Sequence, residues 1–554
     1  MAKFDELADY IFPEITETIA DLEKRYPARK LPEGAEVTRF APSPTGFLHL
    51  GSLFTSLVAH KVAFDTKGVF YLRLEDTDTK REIEGSGEEL VRQLSFFGVA
   101  PEEGYLGDKD VGDYGPYRQS EREHIYRVCI KELMKKGRAY PCFCSPEQLE
   151  ETRQIQEINK EIPGYYGDYA ICRNIEPDDA LARIKNGEPY VIRFRSLGNH
   201  NNKVTFHDEI RGDISIAEND LDIVIMKSDG LPTYHFAHAV DDHFMHTTTV
   251  IRGEEWISSA PIHLELFDAL GFKLPRYAHL PVIMKLDNGN KRKLSKRKDP
   301  EASVSHFIDG GYPAEALKAY LMSIANSNFE EWTAANKSYN IDDFKFSFDK
   351  MSLDGVLFDQ DKLDFFSKEV IALFSAEELY KRLLAWSEKY DQNLCNLLKK
   401  YQQLSVNSLN IERGGEKARK DFSNYTQIYP IVGFFYPERY AEIVANGYPF
   451  NENFDNKVIA EILEDFMKSN DYSLANDVWF STVKELGQRH GFAESGKIFK
   501  QNPHQFKGHV GDVAEMIRVA LCGAKNSPNL YCVLQILGQE EVNRRIQLAI
   551  KQLQ

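Results

Sequence analysis

The chain has 554 residues, 42% of them hydrophobic and 28% charged, enough for several packed domains rather than one. No run approaches the ~18 uninterrupted apolar residues of a membrane span, and the acidic N-terminus lacks the basic-then-apolar order of an export signal, so we expect a cytoplasmic chain with no membrane attachment. A formal net charge of −17 argues against wholesale phosphate binding, and seven scattered cysteines, an odd number, argue against a secreted disulfide framework.

In chain order, residues 1–32 form an acidic extension with no evident assignment. "EVTRFA" then alternates as a strand, "GSLFTSLVAHKVAFDTKG" spaces its apolar residues as a helix, and "VFYLRLED" is a second strand, together predicting a βαβ unit. Its first turn, "RFAPSPTGFLHLGS" from Arg39 to Ser52, places a strand ending at Ala41 before a helix starting near Gly51. A helix N-terminus offers unpaired amides and a dipole that favours anions. Gly46 and Gly51 allow close backbone approach, Pro42 and Pro44 set the turn, and His49 puts an imidazole at the anion position, a combination suited to a nucleotide phosphate.

"SEREHIYRVCIKELMKKG" reads as a helix opened by Ser120 and Glu123 as a capping box and stopped at Gly137. From about Ala139 the pattern is mixed, with strand-like "PYVIRFRS" and "NKVTFHDEIRGDISI" resembling an inserted antiparallel domain. Strand patterning returns in "LDIVIMKSDGLPTYHFAHAVDDH" and "TTTVIRGEEW", the second half of the sheet. The densest basic cluster, "KRKLSKRKD" from Lys291 to Asp299, has the charges to close over a polyphosphate, although charge alone favours a solvated surface run, as it does for "KKGR" at Lys135 to Arg138. Helical periodicity then dominates to the C-terminus, as in "LFSAEELYKRLLAWSEKY", "NKVIAEILEDFMKS" and "DVAEMIRVALCG".

Singly these signals carry little, but in this order the sequence resembles a class I aminoacyl-tRNA synthetase, with "HLGS" and "KLSKR" in the places of its HIGH and KMSKS signatures. "RFAPSPTGFLHLG", "LRLEDTD", "DGLPTYHFAHAVDDH", "VIRGEEW" and "KLSKR" are similar to the bacterial-type glutamyl-tRNA synthetases, and weaker likeness runs through "LFDQDKLDFF" to "SPNLYCVLQILGQEEVNRRI". Ser52 stands where the first signature has its second histidine, and Arg297 where the second has its final serine.

The resemblance implies a multidomain α/β fold: a Rossmann-type parallel sheet split by an inserted α+β acceptor-binding domain, followed by an all-α anticodon-binding region. The expected divisions are an N-terminal extension at 1–32, the first half of the catalytic domain at 33–138, the insertion at 139–221, the second half with the KLSKR loop at 222–298, a stem-contact region at 299–370 and the anticodon domain at 371–554.

It also implies ATP-dependent activation of L-glutamate and its transfer to glutamate tRNA, with Mg²⁺ accompanying ATP, in a monomer. Catalysis would be positioning plus electrostatics, with His49, Lys293 and Lys296 on the phosphates. Thr45, Gly46, His49, Gly51, Glu255, Trp256 and Lys296 are the expected ATP-binding residues. Arg39 and Arg252, with the Tyr234 hydroxyl, would take the glutamate side chain, and Glu75, helped by Ser43, its ammonium. His238 stands where the family commonly has asparagine near the substrate. Without the resemblance, Arg39 and Glu75 would be read as pairing with each other. Buried arginines would reject glutamine, whose amide cannot compensate their desolvation.

Cys142, Cys144 and Cys172 resemble the zinc site of some relatives, but the possible histidine position is Asn174 and Tyr166 or Tyr169 are poor substitutes, so the balance is against structural zinc. Glutamine tRNA as a second substrate, a tRNA-modifying paralogue and an inactive RNA-binding paralogue are the alternatives. A helical C-terminal third and intact His49, Lys293 and Lys296 oppose the last two.

Overall fold

The computed structural model describes all residues except Met1, Phe47, 79–81, Lys296, Glu416 and Lys417. It forms two compact units, Met1–His306 with Lys318–Asp359 and Phe307–Leu317 with Gln360–Gln554.

The first unit opens with helices α1 (Ala2–Ile11) and α2 (Ile19–Arg25), followed by strand β1 (Val37–Phe40), helix α3 (Leu50–Thr66), β2 (Val69–Leu72), α4 (Ser86–Phe96), β3 (Glu103–Tyr105) and β4 (Asp110–Val111). The extension is part of the fold, which the sequence did not reveal. Buried Lys131 donates to the Phe12 and Ile15 carbonyls at 2.9 and 2.6 Å, and Arg29 makes a two-pronged pair with Glu103 at 2.7 and 2.6 Å. β1, β2 and β3 are parallel neighbours, as the βαβ reading requires, and α3 is buried along most of its length by Leu50, Leu53, Phe54, Leu57 and Val58.

Helix α5 (Glu123–Lys135) has the expected apolar face of Ile125, Val128, Leu133 and Met134, but its capping box is absent. A 3₁₀ turn at Gln119–Arg122 precedes it, and Ser120 instead turns to Asp76, donating its amide at 2.8 Å and its hydroxyl at 2.7 Å. A carboxylate at the end of β2 competes better for the hydroxyl than the local backbone does.

Next come β5 (Ala139–Cys142), α6 (Pro146–Ile158), α7 (Pro177–Lys185), β6 (Val191–Phe194), β7 (Lys203–Asp208), β8 (Gly212–Ala217) and β9 (Val224–Met226). β5, β6 and β9 form their own antiparallel sheet. The β7–β8 hairpin, read from sequence with the insertion, is joined elsewhere.

It pairs onto the parallel strands β10 (Thr249–Gly253) and β11 (Arg276–Leu280), giving a sheet in the order β10-β11-β7-β8. β10 meets β1 where the Thr248 amide donates to the Val37 carbonyl at 2.9 Å, so the two halves lie side by side.

Helix α8 (Tyr234–Phe244) and α9 (Ala260–Leu270) flank β10 in sequence. α8 corrects the strand reading of "YHFAHAVDDH". Phe236, Val240 and Phe244 recur every fourth residue, and their burial on one face, with Ala237, outweighs the local β-like composition. Strands β12 (Ile283–Asp287) and β13 (Asn290–Lys293) form a hairpin whose turn, Asn288 and Gly289, has φ of 50° and 84°, the positive values that an Asn-Gly turn supplies. β14 (Val356–Leu357) completes that small sheet.

In the second unit the three helices expected from periodicity occur at Ala376–Tyr390, Asn456–Ser469 and Val510–Cys522. Ser375 caps the first by accepting the Glu378 amide, and left-handed Gly523 ends the third. From residue 360 on, nearly everything ordered is helix around one apolar core containing Leu379, Leu383, Ile462, Phe466, Val513 and Ile517. Among the described residues no helix is long and apolar enough to cross a membrane.

Candidate active site

A cavity of about 590 Å³ opens at the C-terminal ends of β1 and β10, beside the N-terminus of α3. Arg39, Ser43, His49, Gly51, Glu75, Tyr234, Arg252, Glu255, Trp256 and Lys293 all line it, although they are spread over more than 250 residues of sequence. Thr45 and Gly46 are not in its wall; they form the adjoining turn, where Thr45 donates its amide to Ser43 at 2.8 Å and Gly46 has φ 136°. Lys296 lies outside the described residues.

At the phosphate end, His49 is the N-cap of α3, and its Nδ1 accepts the Gly51 amide at 2.9 Å. With Nδ1 an acceptor, a neutral ring carries its proton on Nε2. Lys293, at the end of β13, bonds Glu255 at 2.8 Å. Burial would raise the Glu255 carboxyl, but that ammonium holds it below its usual range. Trp256 packs on Tyr234 with ring centres 4.3 Å apart.

At the other end Arg39 does not pair with Glu75. Its Nε contacts both oxygens of Asp242 on α8, at 3.2 and 3.3 Å. Glu75 is met by Arg73 at 3.3 Å, and Arg73 also donates to Asp242 at 2.8 Å. Burial pushes the Glu75 carboxyl up to about 7, against the pull of Arg73 and Arg39. Arg73 and Asp242 lie in the separate motifs "LRLEDTD" and "DGLPTYHFAHAVDDH", and only the fold brings the end of β2 against α8.

His238 is fully buried beneath the cavity rather than in its wall. Its Nδ1 lies 2.8 Å from Asp242 and its Nε2 3.3 Å from the Tyr277 hydroxyl, and burial lowers its pKa to about 3. It is a neutral ring holding Asp242 and does not line the cavity.

Arg252, 5% exposed, has a different environment. Its Nε donates to His279 Nε2 at 3.0 Å, and His279 Nδ1 meets Asp208 at 2.7 Å. Its Nη1 lies 3.2 Å from His263 Nδ1, and His263 Nε2 lies 3.0 Å from His235 Nδ1. Among the described residues its buried Nη2 has no hydrogen-bond partner. Sequence reasoning missed Asp208, His263 and His279, which come from three separate elements.

Away from the cavity, the Cys142, Cys144 and Cys172 sulfurs lie within 4.8 Å of one another. The Tyr165 hydroxyl is 3.4 Å from Cys142 and 3.2 Å from Cys144, whereas Tyr166 and Tyr169 donate to the Ile162 carbonyl and Glu161, and Asn174 accepts from Arg195.

Residues 36–365 match the family described as tRNA synthetases class I (E and Q), catalytic domain, and residues 378–550 match an anticodon binding domain. The chain is 45% identical to a glutamate–tRNA ligase of Clostridium beijerinckii over 544 residues, covering 98% of each chain. It is also 45% identical to one from Acetivibrio thermocellus over 545 residues, covering 98% of this chain and 99% of the relative. Among solved structures it superposes on a glutamate tRNA ligase from Elizabethkingia meningosepticum in complex with its amino acid, with a TM-score of 0.72 and 28% identity over 94% of this chain and all of the other.

Proposed function

The chain belongs to the glutamate–tRNA ligases, class I tRNA synthetases with a helical anticodon-binding domain, and on that premise we propose how its own residues carry the reaction. The enzyme activates L-glutamate with ATP. An oxygen of the amino acid's α-carboxylate bonds to the α-phosphorus, the bond from that phosphorus to the bridging oxygen breaks, and pyrophosphate leaves with the electron pair. A hydroxyl of the tRNA's terminal adenosine then attacks the carbonyl carbon, gives up its proton, and AMP departs.

Binding glutamate in this scheme falls to the inner end of the cavity. The buried, unpartnered Nη2 of Arg252 carries the reading: an unmade bond on a buried cation calls for an anion, and the side-chain carboxylate supplies it. Tyr234 adds a donor, Arg39 contributes positive potential moderated by Asp242, and Glu75 with Ser43 takes the ammonium. His238 acts as a positioning residue through Asp242.

ATP occupies the outer end, its magnesium travelling with the phosphates as part of the substrate. The α3 amides and the Nε2 proton of His49 meet the phosphates, with Gly51 leaving room, Thr45 and Gly46 shaping the turn, and Trp256 beside the base. Lys293 leaves Glu255 for the departing pyrophosphate, joined by Lys296. Charge thus meets charge as it develops, with no covalent enzyme intermediate.

We assign the acceptor end of the tRNA to 139–221, its stem to 299–370 and its anticodon to 371–554; the match of 378–550 to an anticodon binding domain supports the last. A monomer suffices, since one chain supplies every residue named, and the seven free cysteines suit a reducing cytoplasm. The three thiols supply three of the four ligands zinc takes; Tyr165, whose hydroxyl lies beside Cys142 and Cys144, would have to complete the set where Asn174 does not. Hydrogen bonding, chiefly with Cys172, already lowers the Cys142 thiol well below its usual range. Bound there, zinc would crosslink the insertion; metal analysis should find one per chain, and its absence would return the cluster to reduced thiols.

Aminoacylation with labelled glutamate and glutamine against purified glutamate and glutamine tRNAs tests the scheme. Glutamate on its own tRNA is expected; charging of both tRNAs would establish a relaxed enzyme, and charging of neither would overturn the catalytic assignments.

A further inference from the structure

Three arginines are buried around the inner end of the cavity, and two are neutralised. Arg39 contacts both oxygens of Asp242, while Arg73 meets Asp242 and Glu75. Among the described residues Arg252 forms no ion pair; both of its polar partners are imidazoles.

The hydrogen bonds determine the charge of these rings. Asp208 accepts from the backbone amides of Ile210, Arg211 and His279, so it is a carboxylate, and the His279 proton must sit on the Nδ1 that faces it. That leaves a lone pair on Nε2 for Arg252. His263 likewise presents Nδ1 to Arg252 and has its Nε2 proton toward His235. A proton on either facing nitrogen would oppose an arginine N–H.

We propose that His279, oriented by Asp208, and His263, oriented by His235, are specificity-determining positioning residues that satisfy Arg252 with uncharged acceptors and so keep its charge for an anionic side chain in preference to the amide. Burial also disfavours protonation of both rings. The other charged or titratable groups around this cradle are committed elsewhere or uncharged. Arg39 and His238 are turned to Asp242, Glu75 faces Arg73, and the Tyr277 ring lies 4.9 Å from the Arg252 guanidinium. A carboxylate in place of either imidazole would make Arg252 a third neutralised arginine. The distinction matters because glutamate and glutamine differ by little except charge.

This inference rests on Arg252 receiving the substrate side chain, so the experiment separates the two. The full-length variants His263→Gln, His263→Glu, Asp208→Asn and Arg252→Gln are compared in steady-state aminoacylation with glutamate and with glutamine, and in KM for ATP. Arg252→Gln should raise the KM for glutamate by about 100-fold or more; an unchanged value would sink the reading of Arg252 itself. His263→Gln, an uncharged acceptor, should stay within about fivefold of the parent in KM for glutamate. His263→Glu should raise that KM by about 100-fold and lower the preference for glutamate over glutamine by a similar factor, with KM for ATP within about threefold. Equal KM values for the two His263 variants, with Arg252→Gln impaired, would overturn the cradle alone. Should His263→Glu fail to fold by circular dichroism, Asp208→Asn decides. Its amide favours the reversed His279 tautomer and should raise KM for glutamate about tenfold with kcat little changed. An unchanged KM there overturns the proposal.

Discussion

Glu75 is a carboxyl that burial pushes up toward neutrality. Burial raises it to about 7 and the adjacent Arg73 opposes that rise, so in the empty cavity near neutrality it is partly protonated. A substrate ammonium favours the ionised form, so binding lowers this pKa and releases a proton. Affinity is therefore full above about pH 7 and is lost as pH falls through it. Log KM for glutamate should climb by about one per pH unit below 7, and Glu75→Gln should bind weakly with a flat profile. A flat profile in the parent would show that Glu75 does not hold the ammonium. At the phosphate end, Lys296→Ala should slow activation by two to three powers of ten, the effect of removing one preorganised donor, about 3 to 4 kcal/mol. A near-normal rate would dismiss that role. The residue types for this site were readable in the motifs, but their pairings were not. Arg39 looked the natural partner of Glu75; Glu75 instead meets Arg73 two residues before it, and Arg39 meets Asp242 from a distant helix, because nothing in a motif says which elements will be neighbours.

At the scale of elements, the docked extension makes the sharpest claim. Arg29 holds Glu103, donates to the Met245 carbonyl at 3.0 Å and lies 3.9 Å from the centre of the Tyr114 ring, all nearly out of solvent. Arg29→Ala strands a buried carboxylate and should cost about 3 kcal/mol in denaturant unfolding. A change below about 0.5 kcal/mol would mean that the extension is only laid on the surface. The elements legible beforehand were those whose periodicity and stop signals agreed, α3, α5 and the helices of the second unit. α8 was misread because histidines, aromatics and a valine carry a β-like composition, while its fourfold apolar repeat fits the buried face it acquires. "DNGN" signals the β12–β13 hairpin, a cue available in the sequence.

For the whole molecule, a chain of net charge −17 that handles tRNA must confine its phosphate contacts to local basic patches. The tRNA dissociation constant should rise about tenfold or more between about 50 and 200 mM salt, while KM for glutamate moves less, because its ion pairs are buried. Uniform, salt-insensitive binding to unrelated RNA would contradict this arrangement. The acidic balance then limits nonspecific association rather than forbidding the partner.

The sequence by itself determined the kind of protein: ordered signatures, a helical last third and candidate groups for every part of the reaction, because turn chemistry and periodicity are local properties. Tertiary structure alone decided which charges cancel. Asp242 on α8 neutralises Arg39 on β1, and Asp208 on β7 orients His279 on β11 toward Arg252 on β10. Such pairings depend on through-space distances of about 3 Å between residues far apart in the chain, where the low dielectric makes each one count, and no local pattern encodes them.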